Sequence, residues 1–192
     1  LRNEHHAPAS GLHIAYLDIH DLEVSKTHED MEQDLWMKIF RELLHSAFIT
    51  TKEKTDLSGG KITKKNAPEN VPELIRLKLG SDKNARLILL LDETDDMLDK
   101  DSASDFPVVK QFRGLMATTQ RRFKVVFTGL KSVQKFNSYK NQPFAQLGKA
   151  IVIRPLEPPH AQRLVQGPMR ALGFSFEDSS LLLRILSQTN YH

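Results

Sequence analysis

Four short apolar runs alternate with helical patterns, and this alternation restricts the fold more than any other feature of the chain. The runs cover residues 12–19, 86–93, 123–130 and 150–156. The second and third are apolar at successive positions, which is typical of strands covered on both faces of a sheet. Strands that alternate with helices predict an α/β fold, a parallel sheet with helices on both faces.

The segments between these runs have the periodicity of amphipathic helices. Residues 29–48 place a stripe of large apolar side chains, Trp36 among them, on one helical face, which is typical of a helix packed on a core. Residues 70–80 have a proline in the first turn and a glycine at the end. Residues 105–122 predict a further helix that ends on two arginines, a favourable position for positive charge.

The pattern changes near residue 156, where strand-like runs cease. Two helical patterns follow with no apolar run between them. We therefore predict two parts, an α/β core over residues 1–156 and a small helical unit over 157–192.

Composition excludes several classes of site. The chain has 192 residues, a net charge of +3 and no cysteine, so disulfides, thiolate metal sites and a cysteine nucleophile are excluded. The small positive charge is spread along the chain, which is weak support for a nucleic-acid partner. No apolar run approaches the roughly 18 residues that span a bilayer, and the first residues lack the apolar core of a signal peptide. We predict a cytoplasmic protein with no membrane partner.

Two adjacent carboxylates, Asp92 and Glu93, come directly after the second apolar run. In an open parallel sheet, ligands bind beyond the carboxyl ends of the strands. There one acid can hold Mg²⁺ through water, and the other can orient or deprotonate an attacking water. Thr128, at the tip of the next run, could bond that water or a phosphate. The alternative is purely structural: the acids, with Asp95 and Asp96, form the first turn of a helix, and Thr128 ends a strand in a turn.

The order of these parts resembles the Walker B to sensor 1 half of a P-loop ATPase. An apolar strand ending in Asp-Glu is followed by a helix, an apolar strand ending in Thr, and then a helix, a strand and a helical lid. More narrowly, the chain is similar to the AAA+/STAND group, the signal-transduction ATPases, and to their archaeal-type relatives. The segment IRPLEPPHAQRLVQGPMRALGF, followed by SSLLLRILSQTNYH, resembles the lid of bacterial STAND-like ATPases.

The resemblance implies a three-layer sheet in the strand order 5-1-4-3-2, with ATP and Mg²⁺ as cofactors. It makes Asp92 the Mg²⁺-associated acid, Glu93 the base that activates water and Thr128 the sensor 1 residue. Arg170 and Arg184, in the lid helices, become candidates for the nucleotide-binding arginine known as sensor 2.

The phosphate-binding half of such a site is missing from the sequence. No G-x-x-x-x-G-K-[ST] pattern occurs, and the only Gly-Gly-Lys, at 59–61, is followed by Ile62 in a polar loop. The resemblance implies that the intact protein carries the P-loop and the central strand before it upstream of Leu1.

Three functions follow from these observations. The first is an ATP-binding and ATP-hydrolysing switch module whose partners are the nucleotide and covalently attached regulatory or effector domains, with a homo-oligomer left open. The second is a nucleic-acid-associated AAA+ ATPase of the initiator or transposition-regulator type. The basic loop over residues 52–65 and the arginines at 121–122 favour it, but aromatic residues are not interleaved with the basic ones. The third is a catalytically silent scaffold with an ATPase fold.

Overall fold

A three-stranded parallel sheet forms the centre of the first of two compact units. The computed structural model describes residues 11–20, 22, 25, 27–50, 61–129, 147–148 and 151–189. The chain divides into Leu1–Lys149 and Ala150–His192. The three strands are β1 (Leu12–Asp18), β2 (Arg86–Asp92) and β3 (Phe123–Phe127), in the order β1-β2-β3. The predicted α/β class and its parallel pairing are confirmed.

Helices follow the predicted pattern with small shifts at their ends. The first unit contains α1 (His28–His45), α2 (Ala67–Ser81), α3 (Asp95–Ala103) and α4 (Pro107–Thr118). The helix predicted over residues 105–122 is shorter at both ends, because Phe106 before it and Gln120 after it have positive φ angles, which an α-helix does not accommodate. The arginines at 121–122 therefore lie beyond the helix, and their predicted place in its last turn is wrong.

The core lies between one face of the sheet and the helices. The predicted apolar stripe of α1 is buried, and α1 packs on both α2 and β1. The Trp36 ring lies 5.1 Å, centroid to centroid, from that of Phe112 in α4, which stacks in turn on Phe123 of β3. These aromatic contacts fix α1 and α4 on the same face of the sheet.

The second face of the sheet is only partly covered in the described structure. Residues opposite each other in the register share a face, and Tyr16, Leu90 and Val126 form one such row. Tyr16 and Val126 are 40% and 45% exposed, whereas Val125, which points to the other face, is 9% exposed. The cover on both faces predicted for β2 and β3 is thus incomplete for β3 in the described part of the chain. The alternation in β3, where Lys124 is also exposed, is typical of a strand with one buried face.

The predicted fourth strand, over residues 150–156, is also wrong. Residues 151–157 have neither strand nor helix structure. Ile151, Val152 and Ile153 are 84%, 63% and 89% exposed. A strand requires a neighbouring strand to bond its N–H and C=O groups, and no described residue supplies one to this segment. Apolar, β-branched composition alone did not produce a strand.

The second unit contains two helices, α5 (Pro158–Ala171) and α6 (Ser179–Gln188). They pack on each other through a small cluster of Ala161, Leu182 and Leu186. Asp178 caps α6, since its carboxylate accepts a hydrogen bond from the N–H of Ser180 at 2.9 Å. The helical pair predicted after residue 156 is therefore present.

Candidate functional site

Three side chains, one from β1, one from β2 and one directly after β3, meet near the carboxyl edge of the sheet. Asp92 is the last residue of β2, and its Oδ2 accepts a hydrogen bond from the Tyr16 hydroxyl of β1 at 2.7 Å. Its Oδ1 accepts a hydrogen bond from the hydroxyl of Thr128, directly after β3. The same oxygen also accepts the backbone N–H of Glu93 at 3.1 Å. The structure thus brings Asp92 and Thr128 into direct contact, and it adds Tyr16, which the sequence analysis did not identify.

The register explains why these groups converge. Tyr16 pairs with Leu90, two residues before Asp92, so Tyr16 and Asp92 lie on the same face of the sheet. The long tyrosine side chain spans the remaining distance along that face. On the other side of β2, the β2–β3 pairing continues past the strand end, since the Thr128 N–H donates to the Leu91 carbonyl at 2.9 Å.

Hydrogen bonding favours the ionised form of Asp92. The Thr128 hydroxyl, and after it the Tyr16 hydroxyl, lower the pKa of the Asp92 carboxyl, and the Glu93 N–H acts in the same direction. Partial burial opposes these effects without cancelling them. Asp92 therefore places a full negative charge at the edge of the sheet at neutral pH.

Thr94 holds the two strand ends together, and the sequence analysis did not assign it this role. Its side chain is fully buried, its hydroxyl donates to the Thr128 carbonyl at 2.8 Å, and its N–H donates to the same carbonyl at 2.9 Å. Two bonds to one carbonyl fix the backbone of Thr128 relative to β2. In the sequence, a threonine before an acidic helix start indicates only an N-cap, but the Thr94 side chain makes no cap bond.

Glu93 lies between the strand and the following helix with a φ of 56°, in the left-handed region. Its side chain is exposed and makes no hydrogen bond or ion pair to any residue the structure describes. Left-handed non-glycine residues are uncommon. Ala47 and Gln120 share this conformation in ordinary turns, so the conformation does not by itself mark a catalytic residue. What the structure establishes is a solvent-accessible carboxylate next to Asp92.

The alternative that the acids only form the first turn of a helix applies to two of the four, Asp95 and Asp96. Asp95 and Asp96 form the first turn of α3, where negative charge is favourable. The Asp95 carboxylate lies against Gly129, such that a Cβ at Gly129 would be 2.9 Å from its Oδ2. Asp92 and Glu93 precede the helix and take no part in its first turn.

Arg170 and Arg184 lie in α5 and α6 of the second unit, and both are exposed. The guanidinium of Arg170 makes a long hydrogen bond of 3.4 Å to the side chain of Gln166, one turn earlier. The predicted nucleotide-binding role of these arginines stays a prediction.

Magnesium could be held either by protein side chains alone or by one carboxylate together with water and phosphates. The described residues fit only the second of these modes. They contain no group of three or more His, Asp or Glu side chains that could hold a metal ion by themselves. Magnesium in nucleotide sites usually keeps several waters and needs one or two carboxylates in addition to the phosphates. The ionised Asp92 fits this second mode.

Comparisons of the chain with protein-family models, with curated proteins and with solved structures gave no match. Within the described part of the chain, no helix has the length and apolar character required to cross a membrane. The functional argument therefore depends on the site geometry and on the order of the sequence motifs.

Proposed function

We propose that the chain forms the Walker B and sensor 1 part of an ATP-binding and ATP-hydrolysing switch module of the AAA+/STAND kind. The observation that carries this proposal is the hydrogen bond from Thr128 to Asp92. The resemblance assigns these two residues to separate motifs, Asp92 to Walker B and Thr128 to sensor 1, which lie 36 positions apart in the sequence. Their contact at the carboxyl edge of a parallel sheet is what such a site requires.

The sheet topology gives independent support. The order β1-β2-β3, with the acid at the end of the middle strand and the threonine after β3, agrees with the 4-3-2 part of the strand order that the resemblance implies. In that order a P-loop strand would lie along the free edge of β3. The proposal requires this strand and its phosphate-binding loop to come from a segment outside residues 1–192. An intact protein without a glycine-rich loop upstream would contradict it.

Each residue then has a distinct role. Asp92 would hold a hydrated magnesium ion, and Thr128 keeps the Asp92 carboxylate oriented. Magnesium, when bound with ATP, would supply positive charge that stabilises the phosphates. The exposed Glu93 carboxylate would accept the proton of the attacking water as the water oxygen bonds to the γ-phosphorus and ADP leaves. By the resemblance, the helical second unit would correspond to the lid, and the nucleotide state would be transmitted to attached domains.

Substitution of Glu93 by Gln in the intact protein tests the proposal. We expect ATP binding to be retained and hydrolysis to fall by about 100-fold or more, since general bases contribute about 10²–10⁴-fold. Asp96→Asn is the matched control, an exposed acid three positions away that serves only the start of α3, and its turnover should stay within about twofold of the wild type. Unchanged turnover in Glu93→Gln would refute the role of Glu93 and would favour the silent scaffold if the wild type also lacks hydrolysis.

The nucleic-acid alternative gains no further support from the described residues. Residues 51–60 of the predicted basic loop lie outside them. Salt-dependent DNA binding by the intact protein would favour this alternative.

A further inference from the structure

The Tyr16 hydroxyl is the one part of the Asp92 site that comes from β1, a strand to which the sequence motifs assign no role. Tyr16 is 40% exposed, on the partly covered face of the sheet, and its hydroxyl lies 2.7 Å from Asp92 Oδ2. Asp92 is thus bonded from both neighbouring strands, by Tyr16 of β1 on one oxygen and by Thr128 after β3 on the other.

These contacts limit what else the Asp92 carboxylate can bind. An ionised carboxylate has about four acceptor positions, two on each oxygen. On Oδ1, both are used, by the Thr128 hydroxyl and the Glu93 N–H. On Oδ2, the Tyr16 hydroxyl uses one. Counting the described residues alone, one acceptor position remains, on Oδ2.

Bonds on both oxygens also restrict rotation of the carboxylate. Rotation of the Asp92 side chain about its terminal bond would break the bonds to Tyr16 and Thr128 together. The donors themselves are held in place, Tyr16 by its pairing opposite Leu90 and Thr128 by the two bonds from Thr94 to its carbonyl. The remaining acceptor position therefore has a fixed direction.

We propose that Tyr16 is a positioning residue of this site, which holds Asp92 such that its carboxylate binds one water of a hydrated divalent cation and does not coordinate the cation with both oxygens. This inference rests on the proposed function. It adds a positioning residue on a third strand. Removal of the hydroxyl frees the second position on Oδ2 and lets the carboxylate turn, so the oriented contact with the metal-bound water weakens.

The test is the magnesium dependence of nucleotide binding in the intact protein. A fluorescent ATP analogue is titrated at increasing Mg²⁺, and the Mg²⁺ concentration that gives half of the increase in affinity is measured. For Tyr16→Phe, which keeps the ring, we expect this concentration to rise about 10-fold, because loss of a group that orients a metal ligand typically weakens metal binding 10- to 100-fold. Binding of the analogue without Mg²⁺ should be unchanged.

Variants at two threonines serve as controls. Thr128→Val removes the hydroxyl that donates to Asp92 and should alter the magnesium dependence. Thr128→Ser keeps a hydroxyl donor and should have the magnesium dependence of the wild type. Thr118→Val removes an exposed hydroxyl that bonds only within α4, and it should have no effect. Partial unfolding of Tyr16→Phe would weaken binding of the analogue with and without Mg²⁺, whereas loss of the positioning role shifts only the magnesium dependence.

Asp92→Asn separates failure of this inference from failure of the proposed function. If Asp92→Asn loses the magnesium dependence and Tyr16→Phe stays within about twofold of the wild type, the role of Tyr16 is refuted and the ATPase proposal stands. If Asp92→Asn retains the full magnesium dependence, the proposed site itself is refuted, and the inference with it.

Discussion

The carboxylate of Asp101 is completely buried in α3, and its Oδ1 lies 2.9 Å from Nε2 of His28 at the start of α1. The same carboxylate accepts the N–H groups of Val108 and Val109, each at 3.0 Å. These are among the first N–H groups of α4, which lack partners within their own helix. Asp101 thus caps α4 from the preceding helix and links three helices through one side chain.

Asp101→Asn should destabilise the first unit strongly. An amide has one acceptor oxygen where the carboxylate has two, and its NH₂ group would face a backbone N–H. We expect a loss of about 2–3 kcal/mol in the free energy of unfolding, the cost of buried polar groups left without partners. Urea denaturation of the whole chain measures it. Asp96→Asn, an exposed acid of the same helix, should change stability by less than about 0.5 kcal/mol. Equal losses in the two variants would contradict the capping role.

Glu32 predicts a specific pH dependence. It lies in α1, and its Oε1 accepts a hydrogen bond from the Gln111 side chain at 2.9 Å. Burial raises the pKa of the Glu32 carboxyl, as do the negative charges of Asp101 and Glu29, and together they exceed the lowering by His28 and by the Gln111 bond. A raised pKa means that ionisation is less favourable in the folded state than in the unfolded state. The contribution of Glu32 to the free energy of unfolding is therefore fully present below the pKa of the unfolded state. It is lost as the pH rises through the pKa of the folded state.

Glu32→Gln should therefore stabilise the protein at pH 7 and have little effect at low pH. The Gln side chain keeps an acceptor for Gln111 and carries no charge to bury. Because the Glu32 side chain is only partly buried, we expect a gain on the order of only 0.5 kcal/mol at pH 7, falling towards zero below about pH 4. Urea denaturation at the two pH values measures it.

Two glycines should respond in opposite ways to substitution by alanine. Gly11 has a φ of 64°, and a Cβ there would lie 2.5 Å from the backbone oxygen of Asn84. Gly11→Ala should cost about 2–3 kcal/mol, because the clash is with backbone and the conformation is unfavourable for alanine. Gly114 lies inside α4, and a Cβ there would meet no atom of another element within 4 Å, so Gly114→Ala should stabilise by about 0.5–1 kcal/mol. Thermal unfolding of both variants compares the two signs directly.

Much of the first unit could be predicted from local sequence patterns. The strand runs that became β1, β2 and β3 were recognisable because each is apolar and bounded by turn residues, and the stripe around Trp36 correctly indicated the buried face of α1. The run at 150–156 was misleading, because a strand depends on a partner that local composition does not specify. The acids at 92 and 93 could be assigned to the edge of the sheet, since a parallel sheet places all its carboxyl strand ends at one edge.

The contacts of the site depend on register and burial, which a single sequence does not contain. Tyr16 is 76 positions from Asp92 and reaches it only through the pairing of β1 with β2. Asp101 and Asp96 are both acids of α3, and the local sequence does not distinguish them. Asp101 is nevertheless completely buried, whereas Asp96 is exposed. For the same reason no local pattern pointed to Thr94, whose hydroxyl bonds to the Thr128 carbonyl directly after β3.

The partly covered face of the sheet predicts a difference between two adjacent valines of β3. Val125 is 9% exposed and faces the core, whereas Val126 is 45% exposed on the other face. In both cases, replacement by Thr keeps the shape of the side chain and exchanges one methyl group for a hydroxyl. Val125→Thr should cost about 1–2 kcal/mol, because the hydroxyl enters an apolar interior, and Val126→Thr should change stability by less than about 0.5 kcal/mol.

Urea denaturation of the two variants measures this difference, and Lys124→Gln, on the same face as Val126, provides a further surface reference. The result also bears on the proposed ATPase fold, in which helices cover both faces of the sheet. If Val126→Thr costs as much as Val125→Thr, the second face is buried in solution and the one-sided core is contradicted. If only Val125→Thr is costly, the 192-residue chain has a core on one face of its sheet, and any cover for the row of Tyr16, Leu90 and Val126 must come from elsewhere in the intact protein.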